Sequence, residues 1–193
     1  GFVMEYRILG KTGLKISRMG FGGIPIQKID AEGTRVLMHR LRAEGVNYID
    51  TARGYTVSEA YLGVALEGIR DQFILATKSM ARDKAGMAKD INISLANLRT
   101  DHIELYQVHN PSLAQLEQVT APGGALEALL EADDRLESKE GRELLRRLAA
   151  RLRALGYGQL KSSRQARNNQ VMQRFADALA QGMDSRAAYR DAM

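Results

Sequence analysis

The stretch Asn47-Tyr48-Ile49-Asp50-Thr51-Ala52-Arg53-Gly54-Tyr55-Thr56-Val57-Ser58-Glu59 decides how the rest of this chain is read. It begins as a short strand and runs into a polar turn. A helix then opens at Ser58, whose hydroxyl is placed to cap the free N–H groups of the first turn. A carboxylate, Asp50, stands where the strand ends, and a phenol, Tyr55, follows in the loop. In α/β chains chemistry collects at the carboxyl ends of strands, where loops vary over a rigid scaffold. The two strands that follow end with Lys78 and His109.

Working outward, Glu5 to Leu9 and Leu14 to Arg18 flank Gly10-Lys11-Thr12-Gly13 and predict a β-hairpin with a glycine-rich turn. Met19 to Ile26 is an apolar run interrupted by Gly20, Gly22 and Gly23. It reads as a strand whose end either turns plainly or lets another group approach the backbone closely. Asp30 to Glu44 predicts a helix capped by Asp30 and closed by Gly45, with Val36, Leu37 and Leu41 on its apolar face. Further strands are expected at Val46 to Ala52, Phe73 to Ser79 and Ile103 to Val108. Helices are expected at Ser58 to Leu66 and Lys84 to Leu98, and from about Pro122 through Leu130. Strands alternating with helices at crossover distance, without clean in/out alternation, indicate parallel strands buried on both faces. Four such units make half of an eight-stranded barrel or a small open sheet.

The strands stop near Glu131. Leu145, Leu148, Leu152 and Leu155 mark one amphipathic helix, and Met172, Phe175 and Leu179 another. The chain is therefore divided into an α/β part, residues 4–131, and an all-helical C-terminal segment, residues 132–193. The net charge of +5 is uneven. Arg142 to Arg174 holds nine cations and one anion, Glu143. That run reads as a solvated helix face, with arginine stems covering apolar surface. A phosphate-binding surface for nucleic acid is the lower alternative. With 193 residues, 45% of them apolar, the chain can bury one domain core. The absence of cysteine removes disulfide and thiolate chemistry and suits a reducing, cytoplasmic setting. No apolar run approaches the roughly 20 residues of a membrane span. Gly1-Phe2-Val3, ahead of Met4, has the look of an expression scar. The three histidines lack metal-ligand spacing, so no metal site is expected.

Taken singly, Asp50 is a turn carboxylate, Lys78 a surface charge, Tyr55 an exposed loop aromatic and His109 part of a turn before Asn110-Pro111. Together they suit proton transfer to a carbonyl oxygen during hydride transfer. A phenol with a pKa near 10 is a poor acid at neutral pH. A neighbouring ammonium favours the phenolate, a carboxylate can hold that ammonium in place, and an imidazole can orient the carbonyl.

Residues 4 to about 131 resemble the N-terminal half of the aldo-keto reductases. The matching segments are Tyr6 through Leu14 (YRILGKTGL), Met19-Gly20-Phe21-Gly22-Gly23, Asp50-Thr51-Ala52-Arg53-Gly54-Tyr55, Ala76-Thr77-Lys78-Ser79 and Gln107-Val108-His109-Asn110. The resemblance implies half of a (β/α)8 TIM barrel carrying an N-terminal β-hairpin. It also implies reduction of a small aldehyde or ketone with NADPH or NADH. Tyr55 would be the general acid, Lys78 and Asp50 would tune it, and His109 would orient the carbonyl. Gly22, Gly23, Ile24 and Asp50 would line the nicotinamide side. The family's usual Tyr-Gly pair is here Tyr55-Thr56. Its fifth to eighth strands, which grip the cofactor's phosphates and adenosine, have no counterpart after Glu131. A chimera of a half-barrel with a helical segment would give this pattern. The alternative is a non-catalytic half-barrel, its helical tail covering an open sheet edge or joining copies into a homo-oligomer.

Overall fold

The computed structural model describes residues 3–133. The expected helical segment and its basic run lie outside the described residues.

Two sheets form. In the first, β1 (Tyr6–Ile8) pairs antiparallel with β2 (Lys15–Ser17), in the register Tyr6 opposite Ser17. Gly10 and Gly13, at φ of +53° and +75°, turn the chain between them as the sequence predicts. In the second, β3 (Phe21–Gly22), β4 (Tyr48–Asp50), β5 (Ile74–Ser79) and β6 (Leu105–Val108) lie side by side in chain order, all parallel. The crossovers are α1 (Ala31–Ala43), α2 (Ser58–Ala65) and α3 (Lys84–Leu98); α4 (Leu113–Thr120) and α5 (Ala125–Glu131) follow β6.

Side chains alternate across each strand. Ile49 and Leu75 face the helices and are fully buried with Met38, Leu62, Leu66, Phe73 and Leu98. A second apolar cluster joins Met87 of α3 to Val119, Ala125 and Ala128. On the opposite sheet face Tyr48, Asp50, Ile74, Lys78 and Gln107 are only half-buried. The expectation of strands covered on both faces therefore holds on the helix side and, on the other, at Ala76 but not at its neighbours among the described residues.

Several local expectations are corrected. The strand predicted over Met19 to Ile26 is two residues long and gives way to a 3-10 turn at Pro25–Lys28, because Pro25 lacks the N–H a strand would need. Val36 is 65% exposed, and Met38 and Thr34 occupy the buried face of α1 instead. The helix expected from Pro122 begins at Ala125, as α5, and a further helix that the sequence reading did not place, α4, precedes it. Ser112 and Gln115 form a reciprocal capping box that starts α4, and Gly124 precedes α5. Pro122 lies in the turn between them.

The hairpin sits at the amino-terminal end of the parallel strands. Asn47, just before β4, accepts from the Ser17 N–H at 2.7 Å and donates from Nδ2 to the Lys15 carbonyl at 2.9 Å. Tyr6 donates to the Gly45 carbonyl at 2.7 Å. The opposite, carboxyl end is left to the loops after β3, β4, β5 and β6.

Candidate active site

Register and alternation bring the site together. Asp50 is the last residue of β4, level with Gly22 and Ala76 on the neighbouring strands. Lys78 lies two residues beyond Ala76, on the same face, and is level with Gln107 of β6. The Lys78 ammonium donates to Asp50 Oδ2 at 2.7 Å and to the Thr51 carbonyl at 2.9 Å. Gln107 Nε2 donates to the other carboxylate oxygen, Asp50 Oδ1, at 3.2 Å. Asp50 is thus oriented from both sides, and the lysine, 12% exposed, is held by one full charge and one carbonyl dipole.

The loop after β4 carries Tyr55 over this pair. Its amide donates to the Ala52 carbonyl at 3.1 Å, and its carbonyl accepts from the Ser58 N–H at 2.8 Å. The ring lies under the Lys78 ammonium, 5.1 Å from nitrogen to ring centroid, a cation–π distance. The His109 ring meets it edge to face, with centroids 5.9 Å apart and planes at 87°. His109 directly follows β6, and its amide donates to the Ser79 carbonyl at 2.8 Å. All four residues named from the sequence therefore meet at one corner.

Burial holds the His109 pKa below its usual value, and the Lys78 and Arg82 cations lower it further; Asp50 opposes them. The unfolded chain takes up that proton near the ordinary histidine value of about 6.5, before the folded chain does. This residue's contribution to stability is therefore present above that pH and lost as pH falls through the window below it.

Of the four residues named for the nicotinamide side, Asp50 stands in the corner already described, and the other three divide. Gly22 has open space where a side chain would stand, and Ile24 is exposed. Gly23 is different. A methyl group there would meet Ser58 Oγ at 2.6 Å and Thr51 Oγ1 at 2.9 Å. The close approach at this glycine is made by the protein's own hydroxyls. Ser58 donates to the Gly23 carbonyl at 2.9 Å and lies 2.8 Å from Thr51 Oγ1. This also corrects the reading of Ser58 as a helix cap. It is the first residue of α2 and makes no cap bond; its hydroxyl closes the β3 loop onto the β4 loop. Gly23→Ala is expected to cost about 1–3 kcal/mol by overpacking, read as a lower denaturant midpoint with unchanged slope.

Sequence reasoning missed the support beneath the corner. Glu59 is completely buried, yet it is a carboxylate. Oε1 accepts from Thr77 Oγ1 at 2.7 Å and from Ser94 Oγ at 2.8 Å. Oε2 accepts from Asn97 Nδ2 at 3.3 Å and Arg53 Nη1 at 3.4 Å. Arg53 reaches on to Asp90, which accepts from Ser79. Tyr106 lies 3.0 Å from Ser94 Oγ, and burial pushes its phenol up to about 12. The signal was available: Glu59 stands three residues before Leu62 and seven before Leu66, on the stripe that faces the core.

Comparison with known proteins bears on the family of this chain. The model of the aldo/keto reductase family matches residues 18–137. L-galactose dehydrogenase of Arabidopsis thaliana is 34% identical over 137 residues, covering 61% of this chain and 42% of that protein. Aldo-keto reductase YhdN of Bacillus subtilis is 36% identical over 127 residues, covering 56% and 38%. The holo form of aldo-keto reductase AKR11C1 from Bacillus halodurans superposes with a TM-score of 0.57 at 31% identity, covering 72% of this chain and 48% of that one. The chain spans about two-fifths of the length of these curated relatives.

Proposed function

Since the chain belongs to the aldo/keto reductase family, we propose that its described part is one half of an eight-stranded barrel carrying the proton-donating corner of a carbonyl reductase. The substrate is a small aldehyde or ketone and the cofactor is NADPH, or NADH. What supports this is the meeting of Tyr55, Lys78, Asp50 and His109 at the carboxyl end of the sheet, within 2.7 Å for the ion pair and 5.1–5.9 Å for the rings.

The open space at Gly22, level with Asp50, fits the flat face of a nicotinamide ring. That group, when bound, would supply the hydride to the carbonyl carbon. His109 would orient the carbonyl oxygen by donating a hydrogen bond. Tyr55 would give its phenolic proton to that oxygen as the negative charge develops there, yielding the alcohol. The Lys78 ammonium would stabilise the tyrosinate left behind, and Asp50 keeps that ammonium charged and aimed. The barrel cavity would be the half-buried sheet face bearing Asp50, Lys78 and Gln107.

The test is a fluorescence titration of the chain with NADPH up to millimolar concentration, together with turnover of a small aldehyde. Saturable quenching and NADPH oxidation are expected; no binding at millimolar cofactor would sink catalysis by this chain. A second reading is supported by the sheet edges. Among the described residues β3 and β6 each pair on one side only, and β6 is half-exposed along its length. Such edges favour pairing with a further strand. On this reading the chain is a non-catalytic module that associates with a second copy. Light scattering should then show a changed oligomeric state when residues 132–193 are deleted, whereas an unchanged monomer counts against it.

A further inference from the structure

Three buried side-chain polar atoms lack a hydrogen-bond partner among the described residues: Arg82 Nε, Arg82 Nη1 and His109 Nδ1. They belong to two residues that already touch. Arg82 Nη2 donates to the His109 main-chain carbonyl at 2.8 Å, with Gln115 Oε1 at 3.5 Å as a weaker acceptor. The His109 peptide is therefore clamped at its N–H by Ser79 and at its carbonyl by Arg82. The arginine cannot swing freely. Its residue is 9% exposed, its own carbonyl accepts from the Ala125 N–H at 2.9 Å, and Asp83 beside it caps α3 by accepting from Gly86 N at 2.8 Å.

The chemistry of the unpartnered atoms is complementary. A guanidinium has donors only, and a neutral imidazole has one donor and one acceptor nitrogen. A buried donor left without an acceptor is destabilising. No hydrogen bond joins these atoms as they stand; one bridging water would give the Nδ1 lone pair and a guanidinium N–H a shared partner. A proton on Nδ1 would instead add a third unpaired donor.

We propose that Arg82 is a positioning residue which fixes the tautomer of His109, leaving the proton on Nε2 to be donated toward the carbonyl oxygen. The proposal rests on the reading of His109 as the residue that orients the carbonyl. It explains why a full positive charge is buried behind that ring, where no carboxylate meets it among the described residues. The same charge, with that of Lys78, disfavours the imidazolium, while Asp50 is the one carboxylate opposing them. Both cations favour the neutral ring, the form in which one nitrogen carries the proton and the other is an acceptor.

The test is nuclear magnetic resonance of the full 193-residue chain labelled with 15N-histidine, recorded from about pH 5 to 8. His109 is assigned by the signal lost in His109→Gln, with His39 and His102 as internal references. The expected result is a neutral His109 carrying its proton on Nε2 and titrating below about 6.5. In Arg82→Met the Nδ1–H form should gain population and the midpoint should rise. In Arg82→Lys, which keeps the charge but loses the fork, the midpoint should stay low while the tautomer mixes. An Nδ1–H tautomer in the unsubstituted chain overturns the proposal, and so does an unchanged tautomer ratio in a folded Arg82→Met. Should Arg82→Met fail to fold, the unsubstituted spectrum and Arg82→Lys decide. None of these readouts needs turnover, so their failure is distinct from a failure of the reductase reading.

Discussion

On the proposed reductase reading, Tyr55→Phe is expected to lower kcat for aldehyde reduction by about 10²–10⁴-fold, the range a positioned acid contributes, and to leave the cofactor titration unchanged. The substitution removes one oxygen and its proton. The phenyl ring keeps its place beneath the Lys78 ammonium and its edge-to-face contact with His109, because both depend on the ring. The loop keeps its backbone bonds from Tyr55 to Ala52 and Ser58. The loss therefore belongs to the proton step, and kcat and kcat/KM should fall together. Lys78→Met should lose turnover as well, for a different reason: Asp50 loses its ion-pair partner, and the tyrosinate loses its cation. A Tyr55→Phe chain that turns over at the unsubstituted rate would remove Tyr55 from the mechanism.

Glu59→Ala is expected to destabilise the fold by about 3–5 kcal/mol, because three donors lose their buried acceptor at about 1–3 kcal/mol each. Deleting the carboxylate leaves the hydroxyls of Thr77 and Ser94 and the amide of Asn97 facing a void in the core, and strips Arg53 of one of its two acceptors. Because α2, β5, α3 and the Tyr55 loop all meet at this side chain, the damage reaches the site. Glu59→Gln keeps the shape and one acceptor oxygen and should cost less, about 1–2 kcal/mol. Denaturant midpoints of the two variants give the order. If Glu59→Ala were as stable as Glu59→Gln, the network would be ornamental.

The legible parts of the fold were those governed by short-range physics. Apolar periodicity placed β4, β5 and α3 within a residue or two, and Asp30 and Asp83 cap α1 and α3 through local bonds to Gly33 and Gly86. Where the sequence misled, a longer-range partner had displaced a local one. Ser58 has the composition of a cap, but across 35 residues the Gly23 carbonyl takes its proton. Val36 has the hydropathy of a core residue, but the packed face of α1 is the one that carries Thr34 and Met38. Thr56 is informative in another way. The resemblance flagged it as standing where a glycine is usual, and its φ of +43° shows why glycine suits that place. The β-branched residue is held there with Thr56 Oγ1 donating to Gln27 Oε1 at 2.8 Å.

By itself the sequence determined the alternation of strands and helices, the family, and which four side chains end the strands. Each of those is written in residue type and spacing over a few turns of chain. Only the tertiary structure decided that Gln107 and Lys78 grip Asp50 from opposite sides, that Glu59 lies buried under the Tyr55 loop, and that Arg82 stands behind His109. Apart from Arg53–Glu59, those contacts join residues 27 to 57 positions apart, and their geometry follows from strand register and helix packing, which no local pattern encodes.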